Sequence, residues 1–146
     1  MFTFKLQSVL DARKTKEEQV LAEFVEQTKA LEKERQTLVA MDLEKERLLQ
    51  RLREEKEKLL RPGDVELQLS YIKAWNRKIA LQRNLILKLV QELEKKRRNL
   101  LDVMKDRKIL ENLKERHLKE YNLQQSSREQ IAADETAVLR HERKEQ

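Results

Sequence analysis

Only one place in this 146-residue chain is built to reverse direction sharply: Arg61-Pro62-Gly63-Asp64, which holds the single Pro and the single Gly of the sequence. Hairpins and strand-to-helix connections draw on Gly, Pro and Asn-Gly at their corners, so a sheet of many short elements has nothing to turn on here. The chain gets one reversal and two long arms. With 41% of residues charged and 4% aromatic, the arms lack the apolar volume for a wide core, and burying a narrow seam between them is the solution left. The expected fold is all-α, a long antiparallel two-helix coiled-coil hairpin forming one domain over residues 1–146. Its first helix runs over about 3–60, the turn over 61–64 and the second helix over about 65–140.

The same residue inventory removes most chemistry. Without Cys there is no thiol catalysis, disulfide or cysteine-bound zinc, which suits a reducing compartment. His117 and His141, the only imidazoles, stand roughly 36 Å apart on a straight helix, too far to share a metal within one chain. One Gly makes no phosphate-cradling loop, and Ser8, Ser70, Ser126 and Ser127 have no His and Asp arranged around them. No apolar run approaches the roughly 20 residues of a membrane span, and the opening MFTFKLQSVLDARK has no signal-peptide block. The reading is a cytosolic, non-enzymatic chain with no catalytic, cofactor-binding or metal site.

Apolar residues of the first arm recur at alternating spacings of four and three: Leu6, Leu10, Val20, Phe24, Leu31, Leu38, Met41, Leu48, Leu52 and Leu59. Thr3, Arg13, Glu17, Gln27, Glu34, Lys45 and Glu55 fill the remaining seam sites, so the seam is moderately stable and should fray around Gln27 and Glu34. In the second arm Asp64 is the expected N-cap and Glu66 suits the helix dipole. Its column is Val65, Ile72, Ile79, Ile86, Leu93 and Leu100, accompanied by Trp75, Leu89, Val103 and Leu110 and widened by Leu69, Val90, Met104 and Leu118. At Arg107 and Lys114 the column turns polar while Leu110, Leu113, His117 and Tyr121 take over, which reads as a small phase shift.

A reversal at Pro62-Gly63 makes facing residue numbers sum to about 125, setting Leu31 opposite Leu93. Residues beyond about 125 then have no facing residue and form a C-terminal overhang, where apolarity returns only at Ile131, Ala132, Ala133, Ala137, Val138 and Leu139. An unpaired amphipathic end of this kind suits ordering on another protein.

Charge is unevenly spread. Residues 73–119 carry 15 basic and 6 acidic side chains, a local +9, whereas 1–72 and 120–146 come to −1 and −2. Lys95-Lys96-Arg97-Arg98 is the densest basic run. A solvated face that balances acids on the facing arm is the simpler reading, and a dock for an acidic protein the sharper one. Nucleic acid is not expected, because there is neither a basic fork from a parallel dimer nor aromatics interleaved with the cations.

Tyr71 and Trp75, four residues apart, either cover the seam or anchor a partner through their polar tips. Phe2 and Phe4 precede the paired region, so exposure and a docking role are expected of them. Met41 is core filler and His117 a seam-edge residue. The chain reads as a monomer in solution, with two alternatives. One is weak self-association through the wider stripe of the second arm; the other is a basic coiled coil bound to nucleic acid.

The opening Phe4-Lys5-Leu6-Gln7-Ser8-Val9-Leu10-Asp11-Ala12-Arg13-Lys14, with Glu17-Glu18 following, resembles the N-terminal signature of the FliJ family, the soluble stalk component of the bacterial flagellar type III export apparatus. Tyr71-Ile72-Lys73-Ala74-Trp75, leading to Ile79 and Gln82, resembles the aromatic-rich start of that family's second helix, with Trp75 where Tyr or Phe is more usual. The run from Lys114 to Tyr121 and Asp134-Glu135 add to a likeness that covers essentially the whole chain. Injectisome stalk proteins are the related alternative.

The resemblance implies a non-enzymatic rod similar to the shaft of rotary ATPases, cytoplasmic and held peripherally at the inner face of the cell membrane. Such a rod binds the hexameric export ATPase, promotes its ring assembly, contacts the membrane export-gate protein and cycles export chaperones. Carried onto this sequence, the gate-contacting face falls on Tyr71, Trp75 and Gln82 with Met41 and Leu48. The ATPase-contacting end falls on Phe2, Phe4 and Leu6 with Ile131, Val138 and Leu139.

Overall fold

A computed structural model describes residues 1–55 and 61–145 and shows an all-α two-helix hairpin. Helix α1 spans Gln7–Glu55 and helix α2 spans Pro62–Glu145. Residues 56–60, which the sequence assigns to the end of the first helix, lie outside the described residues. Leu, Glu, Lys, Gln and Arg, which lose little rotamer freedom in a helix, dominate both elements, and apart from Pro62 and Gly63 in the first turn of α2 neither contains Gly or Pro. Thr15 and Thr28 turn their hydroxyls back onto the carbonyls of Asp11 and Phe24, so these β-branched residues sit in α1 without an unpaired polar atom.

The ends differ from the sequence reading. Helix α1 starts at Gln7 rather than near residue 3, because the Gln7 N–H donates to the Phe4 carbonyl at 3.1 Å and the first helical bond runs from Leu10 to the Leu6 carbonyl. Helix α2 starts at Pro62, so Asp64 is not the N-cap. Proline tolerates the first helical position because its missing N–H would have no partner there. Asp64 instead lies in the first turn, its N–H donating to the Arg61 carbonyl at 3.0 Å, where its carboxylate complements the helix dipole. Of the expected turn 61–64, only Arg61 stands outside a helix.

The chain divides into two compact units. One joins Met1–Glu18 to Leu101–Gln146. At its centre Leu10 is 1% exposed and packs with Phe4 and Leu110, flanked by Phe2 and Leu113. Above this cluster the half-buried Glu17 accepts a hydrogen bond from Arg107, which donates a second to Glu111 at 2.6 Å. Arg13 pairs with Asp106 at 3.3 Å.

The other unit, Gln19–Leu100, buries Val20, Leu31 and Leu52 of α1 and Ile79 and Leu100 of α2. The one buried polar residue among its described residues, Gln82, donates its amide to the Glu34 carbonyl at 2.9 Å and to the Glu34 carboxylate. Glu34, expected to loosen the seam, is therefore hydrogen-bonded across it. The Oε1 atom of Gln27 is buried with no hydrogen-bond partner among the described residues.

All thirteen of the four-three seam sites of α1 from Leu10 to Leu52 are buried or half-buried, as the heptad spacing requires when one stripe faces a single partner helix. The stripe of α2 is narrower than expected. Leu69, Val90, Met104 and Leu118 are exposed by 52, 39, 38 and 38%, because one facing helix covers only the column from Ile72 onward and its companions Trp75, Leu89, Val103 and Leu110. Nor does the column shift phase at Arg107: Arg107 and Lys114 remain half-buried in it, their aliphatic stems spanning the seam. Hydrogen-bonded or ion-paired residues across the two helices have numbers that sum to between 116 (Glu34 with Gln82) and 125 (Lys14 with Glu111), so the expected 125 is the upper end of the range.

Because Gln82 reaches the Glu34 backbone, the variant Glu34→Cys/Gln82→Cys should oxidise to an intramolecular disulfide in the monomer. Non-reducing electrophoresis and intact mass would show it. A disulfide formed only between chains would contradict the pairing.

Candidate partner-docking surfaces

The residues assigned to the export gate divide by accessibility. Tyr71 is 54% exposed, and it lines one hollow with Leu48, Leu52, Leu67 and Gln68, so the structure brings Tyr71 and Leu48 together. Trp75 is half-buried, and the Lys78 ammonium stands over its ring at 5.1 Å from the centroid, a cation–π contact that fixes the outer face of the indole. Met41 is half-buried in the seam. Gln82 departs from the expectation of an accessible face. It is 8% exposed because it occupies the seam column three residues after Ile79, and it is spent on Glu34.

The N-terminal residues depart from theirs. Phe4 is 5% exposed rather than open, since the non-helical segment before Gln7 folds back onto α2. Its ring meets the edge of His117 at 5.8 Å between centroids, and Phe2 lies against Tyr121 at 5.6 Å. The Met1 ammonium beside Tyr121, with a Gln125 hydrogen bond adding to it, holds the phenol below its ordinary pKa. Leu6 is 39% exposed. These residues do not meet the C-terminal set, because the last aromatic contact, at Tyr121, falls roughly 15 Å short of Ile131 along α2.

Every residue from Ser126 to Glu145 is exposed. Ile131, Val138 and Leu139 are open by 56, 56 and 58%, and with Asp134 and Glu135 they line one cleft, three apolar side chains bracketed by two carboxylates.

The basic run is largely neutralised where it stands. Glu94 accepts two hydrogen bonds from the Arg97 guanidinium, at 2.7 and 2.9 Å, and pairs with Arg98 at 3.4 Å. The Arg97 hydrogen bonds chiefly, and the charges of Arg97 and Arg98 after them, hold the Glu94 carboxyl down at about 2 against an ordinary 4.5. The pair is thus intact above the ordinary carboxylate range and lost only as pH falls toward 2. Lys96 pairs with Glu23 at 3.8 Å. Of the four cations only Lys95 has no ion pair among the described residues, which weakens the nucleic-acid alternative. The charge sum over residues 73–119 does not show this, because it leaves out the three- and four-residue spacing of Glu94 to Arg97 and Arg98.

Among the described residues no helix is long and apolar enough to cross a membrane, and no cluster of three His, Asp or Glu side chains is placed to hold a metal. No curated protein and no solved structure matches the chain. The family model described as Flagellar FliJ protein matches residues 1–146, the whole sequence. With one helical hairpin, a continuous heptad seam and a family match from end to end, the chain belongs to the FliJ family and is a component of flagellar protein export.

Proposed function

We propose that the protein is a non-enzymatic stalk of the flagellar export apparatus. It docks by its C-terminal segment on the hexameric export ATPase, promotes ring assembly, and meets the membrane export gate through the face around Tyr71 and Trp75. Export chaperones are further partners of the same stalk. The observation that carries the reading is the segment 126–145, helical and yet exposed at every residue. Isolated helices of this length are marginal in water, so a stretch with no packed face gains its order from a partner. Ile131, Val138 and Leu139 supply the apolar contact, and Phe2 and Leu6 border the same end of α1. Attachment to the membrane runs through the gate protein. The word flagellar in the family description favours this system over an injectisome.

Truncation after Gln125 tests it. The shortened chain keeps the Phe2–Tyr121 contact and the Gln125 hydrogen bond and loses no buried side chain, so its melting by circular dichroism should match the full chain. Stimulation of ATP hydrolysis, followed by phosphate release, should fall to the basal rate of the ATPase. Undiminished stimulation would defeat terminal docking and move the contact to the face around Lys95 and Arg98.

A further inference from the structure

We infer that the outward face of α2 around Leu81 and Leu85 is a docking surface for an acidic amphipathic helix of a partner protein. Between Glu66 and Glu92 the sequence has no acidic residue, while Lys73, Arg77, Lys78, Arg83 and Lys88 fall in that interval. Arg77, Leu81, Leu85 and Lys88 follow one another at helical spacing and form one stripe, which Lys95 continues two turns on. The stripe points away from the seam, since Ile79 and Gln82 are the buried residues of the same turns.

Leu81 and Leu87 are 69 and 61% exposed and Leu85 40%. Together with Asn84, Lys88 and Gln91 they line a shallow groove along the helix. Among the described residues Arg77, Lys88 and Lys95 make no ion pair, although Lys96, Arg97 and Arg98, which follow Lys95, all do.

The chemistry selects the occupant. A groove between side-chain rows of a helix receives the side-chain row of a second helix. Three leucines give the partner an apolar ridge to bury, and unpaired cations at both ends of the stripe call for carboxylates flanking that ridge. A bilayer is the poorer fit, because interfacial helices bury a longer apolar face than these two turns offer. This site shares no residue with the Tyr71 and Trp75 face, and it stands whether or not the stalk reading holds.

The test uses the full chain and two designed fluorescent peptides of about 20 residues, each with a leucine ridge at helical spacing, one flanked by Glu and the other by Lys. Anisotropy should show the Glu peptide binding, with affinity that weakens as salt rises, and no binding of the Lys peptide. Leu81→Glu/Leu85→Glu and, separately, Arg77→Glu/Lys88→Glu should each reduce that affinity at least about tenfold without loss of helicity, as all four side chains are exposed. Equal binding of both peptides, or unchanged binding by either variant, would overturn the proposal. So would cosedimentation of the chain with phosphatidylglycerol vesicles in the absence of peptide binding, which assigns the face to lipid. A concentration-dependent dimer abolished by Leu81→Glu/Leu85→Glu would also overturn it and assign the face to a second copy of the chain.

Discussion

Leu10→Ala is expected to cost about 2–5 kcal/mol and to lower the melting midpoint by roughly 10 °C. Leu10 is the one large side chain exposed by less than 2% among the described residues, closed in by Phe4 and Leu110 with Phe2 and Leu113 around them. Truncating it removes the transfer energy of its methyl and methylene groups and leaves a void that rings anchored on His117 and Tyr121 cannot readily fill. A narrow seam has few such sites, so each one is a large share of a total stability on the order of 5–15 kcal/mol. Leu81→Ala is the matched comparison: with 69% of the residue exposed, its cost should stay within about 0.5 kcal/mol. Thermal and urea melts followed by circular dichroism would read both. Equal shifts for the two variants would mean that Leu10 is not at the centre of a packed cluster.

The seam was legible because its signal is geometric. A four-three spacing puts its residues on one stripe whatever their chemistry, so Arg13, Glu17 and Lys45 are half-buried alongside Leu10 and Val20. One error arose where polarity was allowed to overrule spacing. Arg107 was read as a break in the second column, yet spacing keeps it in register and Glu17, itself a seam residue, is its partner. The family resemblance, not polarity, puts Gln82 on the gate-contacting face, while spacing alone, three residues after Ile79 and four before Ile86, sets it in the seam opposite Glu34.

The opposite error, letting apolarity overrule spacing, assigned Leu69, Val90, Met104 and Leu118 to a stripe that a single facing helix cannot cover. Phe2 and Phe4 had no legible position, because where α1 starts depends on a backbone bond between Gln7 and Phe4 that no side-chain pattern announces. The Pro62 start of α2 was available from the preference of proline for the first helical position, and choosing Asp64 as the cap overlooked it.

The double variant Tyr71→Ala/Trp75→Ala should separate anchoring from packing, since the two roles predict opposite ratios of binding to stability. Tyr71 is 54% exposed and Trp75 only half-buried, so the free chain should lose about 1–2 kcal/mol, well under the 3–5 of a fully buried aromatic. An aromatic that anchors an interface contributes about 2 kcal/mol or more when desolvated by its partner, so affinity for the soluble domain of the export gate should fall at least about 30-fold. Lys78→Gln should have a much smaller effect on both, because it removes the cation over the Trp75 ring and leaves the ring itself in place. Calorimetry of the gate domain against each variant, alongside melting of the variants alone, gives both quantities. A large loss of stability with gate affinity retained would show that the pair only covers the seam, and the hollow that Tyr71 shares with Leu48 would lose its place in the docking model.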